Sequence, residues 1–258
     1  MRTALTIAGS DSGAGAGIQA DLKTFSAHGV YGTSAITAIT AQNTLALSDT
    51  VVLTPKIVTA QIKAVVEDFQ VDAIKIGMLS THQIVKTVAA IVAKLNIKNV
   101  VVDPVMLAKT GNRLLDDDAV VAVKENLLPY AAVVTPNAVE AAVLAGITVS
   151  SLESAREAAR RIHALGPATV VVKGGHLDTP EAIDLLYDGK EFTEFAGPRL
   201  TCTNTHGTGC TFGAAIAANL ALGYPIQPSV ARAKEYVAQA IRHGLPLGQG
   251  HHIMWHKP

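Results

Sequence analysis

Residues 73–106 read AIKIGMLSTHQIVKTVAAIVAKLNIKNVVVDPVM, and their pattern decides the fold. Two short runs of β-branched and small apolar residues, Ala73–Ile76 and Val100–Asp103, flank a stretch over 81–94 with apolar residues at helical spacing behind the N-cap Thr81. Strand, helix, strand in that order is a βαβ unit, the building block of a parallel sheet. The pattern continues in both directions. Further strands are predicted at Ala4–Ala8, Ala35–Thr40, Ala132–Thr135 and Thr169–Lys173. Helices are predicted at about 15–28, 55–69, 116–128, 137–145, 152–164, 208–222 and 228–243, with Gly146 and Gly166-Pro167 as stops. Near Ile183–Tyr187 and Glu191–Phe195, two strands are joined by Asp188-Gly189, a hairpin signal that gives the sheet an antiparallel edge. The expected class is α/β, a single domain with a central, mainly parallel sheet.

Composition narrows the function. The 258 residues suffice for one large core; 49% are hydrophobic and 16% charged, below the roughly 25% of an average chain, as heavily buried elements require. Lys plus Arg and Asp plus Glu both number 21, with no basic run, which removes the footprint of a nucleic-acid partner and points to a small molecule. The opening MRTALTIAGSDS is too short for a signal or membrane segment, so the expected location is the cytoplasm, away from any membrane. Cys202 and Cys210 fit neither a zinc motif nor a disulfide scaffold, and Cys202 is expected at a strand or its end without chemistry. His251-His252-Ile253-Met254-Trp255-His256 invites a metal reading, but a partly ordered C-terminus is the expectation.

The chemistry is concentrated where strands and loops give way to helices. Asn204-Thr205-His206-Gly207-Thr208-Gly209-Cys210-Thr211 runs into the apolar stretch Phe212–Leu222. Consecutive N–H groups around Gly207, Thr208, Gly209 and Cys210 would converge at a helix start and form an anion hole for a transferring phosphoryl group. The Walker pattern G-x-x-x-x-G-K-[ST] is absent, so a nucleotide must be held otherwise. Cys210 stands where the helix dipole lowers a thiol below its free value of about 8.5, fit for a base; an inert packing cysteine is the alternative. The loop Gly9-Ser10-Asp11-Ser12-Gly13-Ala14-Gly15-Ala16-Gly17 lacks the G-x-G-x-x-G spacing of a dinucleotide fold, and a purely structural turn is its alternative. Polar residues close the other strands: Gln42-Asn43-Thr44, Asp103-Pro104-Val105, Thr135-Pro136-Asn137 with Glu140, and Lys173-Gly174-Gly175-His176. Each alone reads as a turn or cap. Together, on one carboxyl edge of a sheet, they would line a ligand crevice.

These segments, with Ala16–Thr24, Lys75–Leu79 and Lys109-Thr110-Gly111, resemble the ribokinase-like kinases and, within them, the hydroxymethylpyrimidine and phosphomethylpyrimidine kinases, from Thr6 to about Arg242. The resemblance implies helices on both faces of the sheet, phosphorylation of a hydroxymethylpyrimidine and its monophosphate in thiamine biosynthesis, ATP and Mg²⁺ as cofactors, and a homodimer. By the same resemblance Gln42 offers its amide to the aminopyrimidine edge, Met78 and Val105 supply apolar contact, Gly9 lies in the loop that approaches the substrate, and Asp21 helps orient it. Asp103 and Glu140 would hold Mg²⁺ through waters, Asn137 would meet the nucleotide phosphates, Lys173 would neutralise their charge, and Cys210 would be the base. Lys109-Thr110-Gly111-Asn112 would belong to a lid. The family usually carries glycine where this chain has Ala14 and often serine where it has Gly213. Rivals are a pyridoxine or pyridoxal kinase of the same fold, a ribokinase-like nicotinamide-hydrate dehydratase, which would need Asp in place of Cys210, and a noncatalytic vitamin sensor.

Overall fold

The computed structural model describes residues 1–106, 114–178, 180–200 and 206–257. These form one nine-stranded sheet of β1 (Thr3–Asp11), β2 (Tyr31–Gln42), β3 (Leu47–Val52), β4 (Ala73–Ile76), β5 (Val100–Val102), β6 (Val133–Val134), β7 (Val170–Val172), β8 (Asp184–Tyr187) and β9 (Phe192–Phe195). Their order is β3-β2-β1-β4-β5-β6-β7-β8-β9. The six strands from β2 to β7 pair in parallel, while β3 at one edge and β8 and β9 at the other are antiparallel. The helices are α1 (Gly17–Ala27), α2 (Pro55–Val66), α3 (His82–Val92), α4 (Asp117–Ala122), α5 (Ala138–Ala145), α6 (Leu152–His163), α7 (Thr208–Ala221) and α8 (Ile226–Arg242). Thr81 accepts from the Ile84 N–H as the N-cap of α3, and Gly146 ends α5 in the left-handed region, as their sequence context predicts.

Period-two alternation sorts each strand between two cores. Val100 and Val102, Val134, and Val170 and Val172 face the core under α2 to α6. Val101, Val133, Val171 and Leu186 face the other, under α7 and α8. The same parity within β4, continued past the ends of β5, β6 and β7, puts Lys75, Asp103, Thr135 and Lys173 on the α7 side. Thr211–Ala221 of α7 are all buried, and the run of Gly and Ala in it lets the helix lie close to the sheet.

Three expectations change. β3 is missing from the sequence reading because Leu47–Val52 has no alternation and is mostly exposed; it adds to β2 as an uncovered edge. The helix predicted over 116–128 breaks after α4 into a π-helical turn, Val123–Leu127, and a 3₁₀ turn, Leu128–Tyr130, where Pro129 lacks the N–H an α-helix would use. The tail is not loosely ordered. Met254 and His256 are buried, and Ile253 pairs with Leu245. Cys202, Asn204, Thr205 and Lys109-Thr110-Gly111-Asn112 lie outside the described residues. Among those described, no helix is long and apolar enough to cross a membrane.

Candidate active site

The carboxyl ends of β1, β2, β4, β5 and β7 and the start of α7 open on a cleft of about 1170 Å³. At its centre the carboxylate of Asp103, 1% exposed, accepts from Lys173 Nζ at 2.8 Å and from Thr135 Oγ1 at 3.3 Å. Glu140 Oε2 lies 3.9 Å from the same ammonium. Asn137 and Glu140 form a capping box at the start of α5, Asn137 Oδ1 accepting from the Glu140 N–H at 2.9 Å and Glu140 Oε2 from the Asn137 N–H at 2.8 Å. The cap reading of this pair is therefore correct, and it also aims Glu140 at Lys173. Burial pushes the Glu140 carboxyl well above the usual range, Lys173 opposing and Asp103 adding to the rise. Burial disfavours the Lys173 charge, but Asp103 and Glu140 outweigh it and hold the ammonium firmly protonated.

The backbone of Gly209 runs directly beneath this group: a Cβ there would lie 2.9 Å from Lys173 Nζ and 3.4 Å from Asp103 Oδ2. Gly207, Thr208, Gly209 and Cys210 all line the cleft, so the predicted anion hole and the charged cluster share one space. Gly207 is left-handed, φ 77°, and its Cα faces the Gly15 carbonyl oxygen so closely that no Cβ fits. The two glycine-rich loops thus touch. Asp11 stitches them: Oδ1 accepts from the Gly13 N–H, and Oδ2 from the N–H groups of Gly15 and Ala16 and from His206 Nε2 at 3.1 Å. Burial raises the Asp11 carboxyl, but His206 and the Ala16 and Gly13 N–H groups outweigh it and leave it below its usual range.

Cys210 departs from expectation. It keeps some surface on the cleft, yet it sits deep enough that desolvation pushes its thiol up to about 11. Lys75 pulls the other way, Asp21 and Asp103 add to the rise, and the Gly17 N–H lowers it slightly. The helix start does not prevail over burial beside two carboxylates.

Gln42 Nε2 lies 3.2 Å from His206 Nε2, and Thr40 Oγ1 3.4 Å from Gln42 Oε1. Around this amide the wall is apolar: Met78 is buried with its methyl packed close against Gly9, and Val105 lines the same space. Asp21 is not with them. It is fully buried under the floor, where Oδ2 accepts from Lys75 Nζ at 2.9 Å and from Thr6 Oγ1 at 2.6 Å, so the expected direct contact with a substrate is corrected to support of Lys75, which does line the cleft.

Sequence reasoning missed Asp11, Lys75 and His206. Signals existed: a carboxylate among glycine N–H groups, and a lone lysine inside the apolar run Ala73–Ile76. It also missed the far arm of the cleft, lined by Phe195 at the end of β9, by Ala196–Arg199 after it and by Lys234 and Arg242 of α8. No motif marks that arm.

The sequence profile of the family described as phosphomethylpyrimidine kinase matches residues 11–255. The chain is 48% identical to the hydroxymethylpyrimidine/phosphomethylpyrimidine kinase of Haemophilus influenzae, covering 97% of this chain and 95% of that one. It is 51% identical to the thiamine biosynthesis bifunctional protein ThiED of Geobacter sulfurreducens, over 96% of this chain but about half, 50%, of that longer protein. Among solved structures it is similar to an ADP complex of Bacillus subtilis pyridoxal kinase, with TM-score 0.93, 40% identity, and 99% and 97% of the two chains covered. The phosphomethylpyrimidine kinase of Clostridium difficile gives TM-score 0.84 at 44% identity, covering 93% of this chain and 100% of the other.

Proposed function

The chain belongs to the phosphomethylpyrimidine kinase family, phosphotransferases of ribokinase-like fold, and from that premise we propose that it moves the γ-phosphate of ATP first to the hydroxymethyl group of 4-amino-5-hydroxymethyl-2-methylpyrimidine and then to the monophosphate, in thiamine biosynthesis. The observation that carries this reading is one continuous cleft with an amide in an apolar wall at one end, a glycine-rich helix start and paired charges in the middle, and an open arm beyond.

In this reading the amide of Gln42 pairs with the aminopyrimidine edge while Met78, Val105 and Gly9 fix the ring plane. The N–H groups from Gly207 to Cys210 hold the transferring phosphoryl group, Lys173 and Asn137 meet the nucleotide phosphates, and the far arm receives the rest of the nucleotide. Asp103 and Glu140 both approach Lys173 Nζ, at 2.8 and 3.9 Å, and two oxygen donors of this kind would hold Mg²⁺ while it keeps most of its waters. When bound, the ion spreads the charge of the phosphates. Cys210 takes the hydroxymethyl proton as the oxygen attacks phosphorus, with Lys75 as the cation that favours its thiolate. A homodimer in the cytoplasm, each chain a single kinase domain, completes the proposal.

A second reading, pyridoxal as substrate, is favoured by the TM-score of 0.93 to the Bacillus enzyme. Steady-state rates with Mg-ATP on hydroxymethylpyrimidine, its monophosphate and pyridoxal separate the two. The expected result is a higher kcat/KM for the pyrimidines; a higher value for pyridoxal moves the substrate assignment to the second reading and leaves the kinase in place.

A further inference from the structure

The C-terminal residues do not line the cleft, yet they touch Thr208 at its helix start and Thr44 in the loop that follows Gln42. Beyond α8 the segment starts at Leu245, whose N–H donates to the Ile253 carbonyl at 2.7 Å and whose carbonyl accepts from the Ile253 N–H at 3.0 Å. The turn so closed reaches Thr44, two residues beyond Gln42. There the Gly250 N–H donates to Thr44 Oγ1 at 3.1 Å and the His251 N–H to the Thr44 carbonyl at 3.0 Å, and Gly248 and Gly250 approach Thr44 too closely for any side chain. The chain then runs back along α8, the Trp255 N–H donating to the Ala240 carbonyl at 3.2 Å. It ends on the first turn of α7. Met254, 1% exposed, places its sulfur 3.8 Å from Thr208 Oγ1, and His256 Nε2 lies 3.0 Å from Thr211 Oγ1, both groups buried. The Tyr236 hydroxyl donates to the His256 carbonyl at 2.7 Å and fixes that last turn to α8.

The imidazole is held in one role. Burial pushes its pKa down to about 4, Lys23 adds to the fall and the hydrogen bond to the Met254 backbone opposes it, so the ring is neutral; with its N–H on the Met254 carbonyl, Nε2 is left to accept from the Thr211 hydroxyl. Thr211 follows Cys210 directly. A buried hydroxyl and a buried imidazole that satisfy each other define one position for this turn, since separating them leaves two unpaired polar groups.

We infer that Leu245–His256 is a strap that sets the first turn of α7 against the Gln42–Thr44 loop, with Thr211 and His256 as positioning residues for phosphoryl transfer. The inference rests on the kinase reading, since what the strap fixes is the distance between the ring-binding amide and the phosphoryl-binding turn. Loss of that fix leaves each ligand its own contacts and harms only their alignment, so kcat should fall while binding survives.

The test compares His256→Leu, Thr211→Val and His256→Gln with wild type, each on the substrate that wild type turns over fastest, with kcat, the Kd of ATP and of that substrate, and Tm measured. A wild type that prefers pyridoxal changes the substrate reading and leaves this comparison intact. His256→Leu and Thr211→Val are expected to lower kcat by on the order of tenfold with both Kd values within about twofold. His256→Gln, whose carbonyl oxygen can accept from Thr211 near the place of Nε2, is expected to recover most of the rate. Thr211→Val keeps size and shape, so it reports even where His256→Leu does not fold. A lowered Tm with unchanged kcat in Thr211→Val, or a rise in KM with kcat kept, makes the tail packing alone and overturns the strap. Equal loss of kcat in His256→Gln and His256→Leu does the same.

Discussion

Two glycine-rich loops meet at the cleft and are held in opposite ways. The turn at 206–210 is backed by a helix buried from Thr211 to Ala221, is wedged by left-handed Gly207 against Gly15, and stands over paired, nearly dry charges. The loop from Gly9 to Gly17 hangs mainly on one carboxylate, Asp11, and carries an alanine, Ala14, where the backbone is left-handed. Charge acting in a dry site is strong, whereas an amide in an apolar wall contributes a hydrogen bond of ordinary size. Substitutions at the first loop should therefore act on kcat, and substitutions around the second on substrate affinity and choice.

The largest effect should be at Cys210. Cys210→Ser keeps the volume but cannot form a thiolate, and kcat is expected to fall by on the order of 10²–10⁴ with substrate Kd little changed. Because the thiol sits at about 11, the active thiolate is the minor form at neutral pH. The sign follows: the base works deprotonated, so wild-type kcat should climb with pH across the neutral and mildly alkaline range, by up to about tenfold per unit while chemistry limits the rate. Cys210→Asp should regain part of the rate and lose most of this slope. Single-turnover rates from pH 6.5 to 9 decide it, and a serine variant as fast as wild type would return Cys210 to packing.

Next comes the charged centre. Asp103→Asn and Glu140→Gln should raise the Mg²⁺ concentration needed for half-maximal rate by on the order of 10–100-fold, with pyrimidine Kd unchanged, because both carboxylates are remote from the amide end. Magnesium titrations at fixed ATP measure this, and superimposable curves would leave Asp103 as a Lys173 partner and Glu140 as a cap.

That contrast also explains what could be read in advance. The parallel strands were legible because β-branched runs buried on both faces leave little other option, and the charged centre because Asp103, Asn137, Glu140 and Lys173 all follow such runs. Whether the Asn137–Glu140 pair was a cap or a site could not be decided from spacing, since the same hydrogen bonds serve both. Edge strand β3 was not legible, because an exposed strand with no buried face leaves no periodic trace. Asp21 and Cys210 were misjudged for one reason: sequence places a residue on an edge or a helix start but not its depth, and depth turned Asp21 into support for Lys75 and Cys210 into a protonated thiol.

At the amide end the expected effect is smaller and of another kind. Gln42→Leu should lower kcat/KM for hydroxymethylpyrimidine by on the order of 10–100-fold, mostly through KM, and lower it less for pyridoxal, whose ring lacks the amine that the amide would pair with. Parallel kinetics on the two substrates check this. An equal loss on both would show that Gln42 holds the loop through His206 rather than reading the ring.

The smallest effect tests whether the Gly9–Gly17 loop is truly the looser of the two. Ala14 sits at φ 57°, where a Cβ crowds the backbone at a cost of roughly 1–2 kcal/mol, and its N–H donates to the Asp11 carbonyl at 2.9 Å, so the turn itself is well formed. Glycine removes that crowding but adds freedom to the unfolded chain, which offsets about 0.5–1 kcal/mol of the gain. Ala14→Gly should therefore stabilise slightly, by up to about 1 kcal/mol, or a Tm rise of about 1–3 °C in a chain of this size. Nothing in the turn depends on the methyl, so Asp11 keeps its N–H partners and kcat should stay within about twofold. A scanning-calorimetry trace with lowered Tm would mean that the alanine backbone escapes the left-handed region in solution. A large change in KM for the pyrimidine would mean that the methyl itself shapes the substrate end.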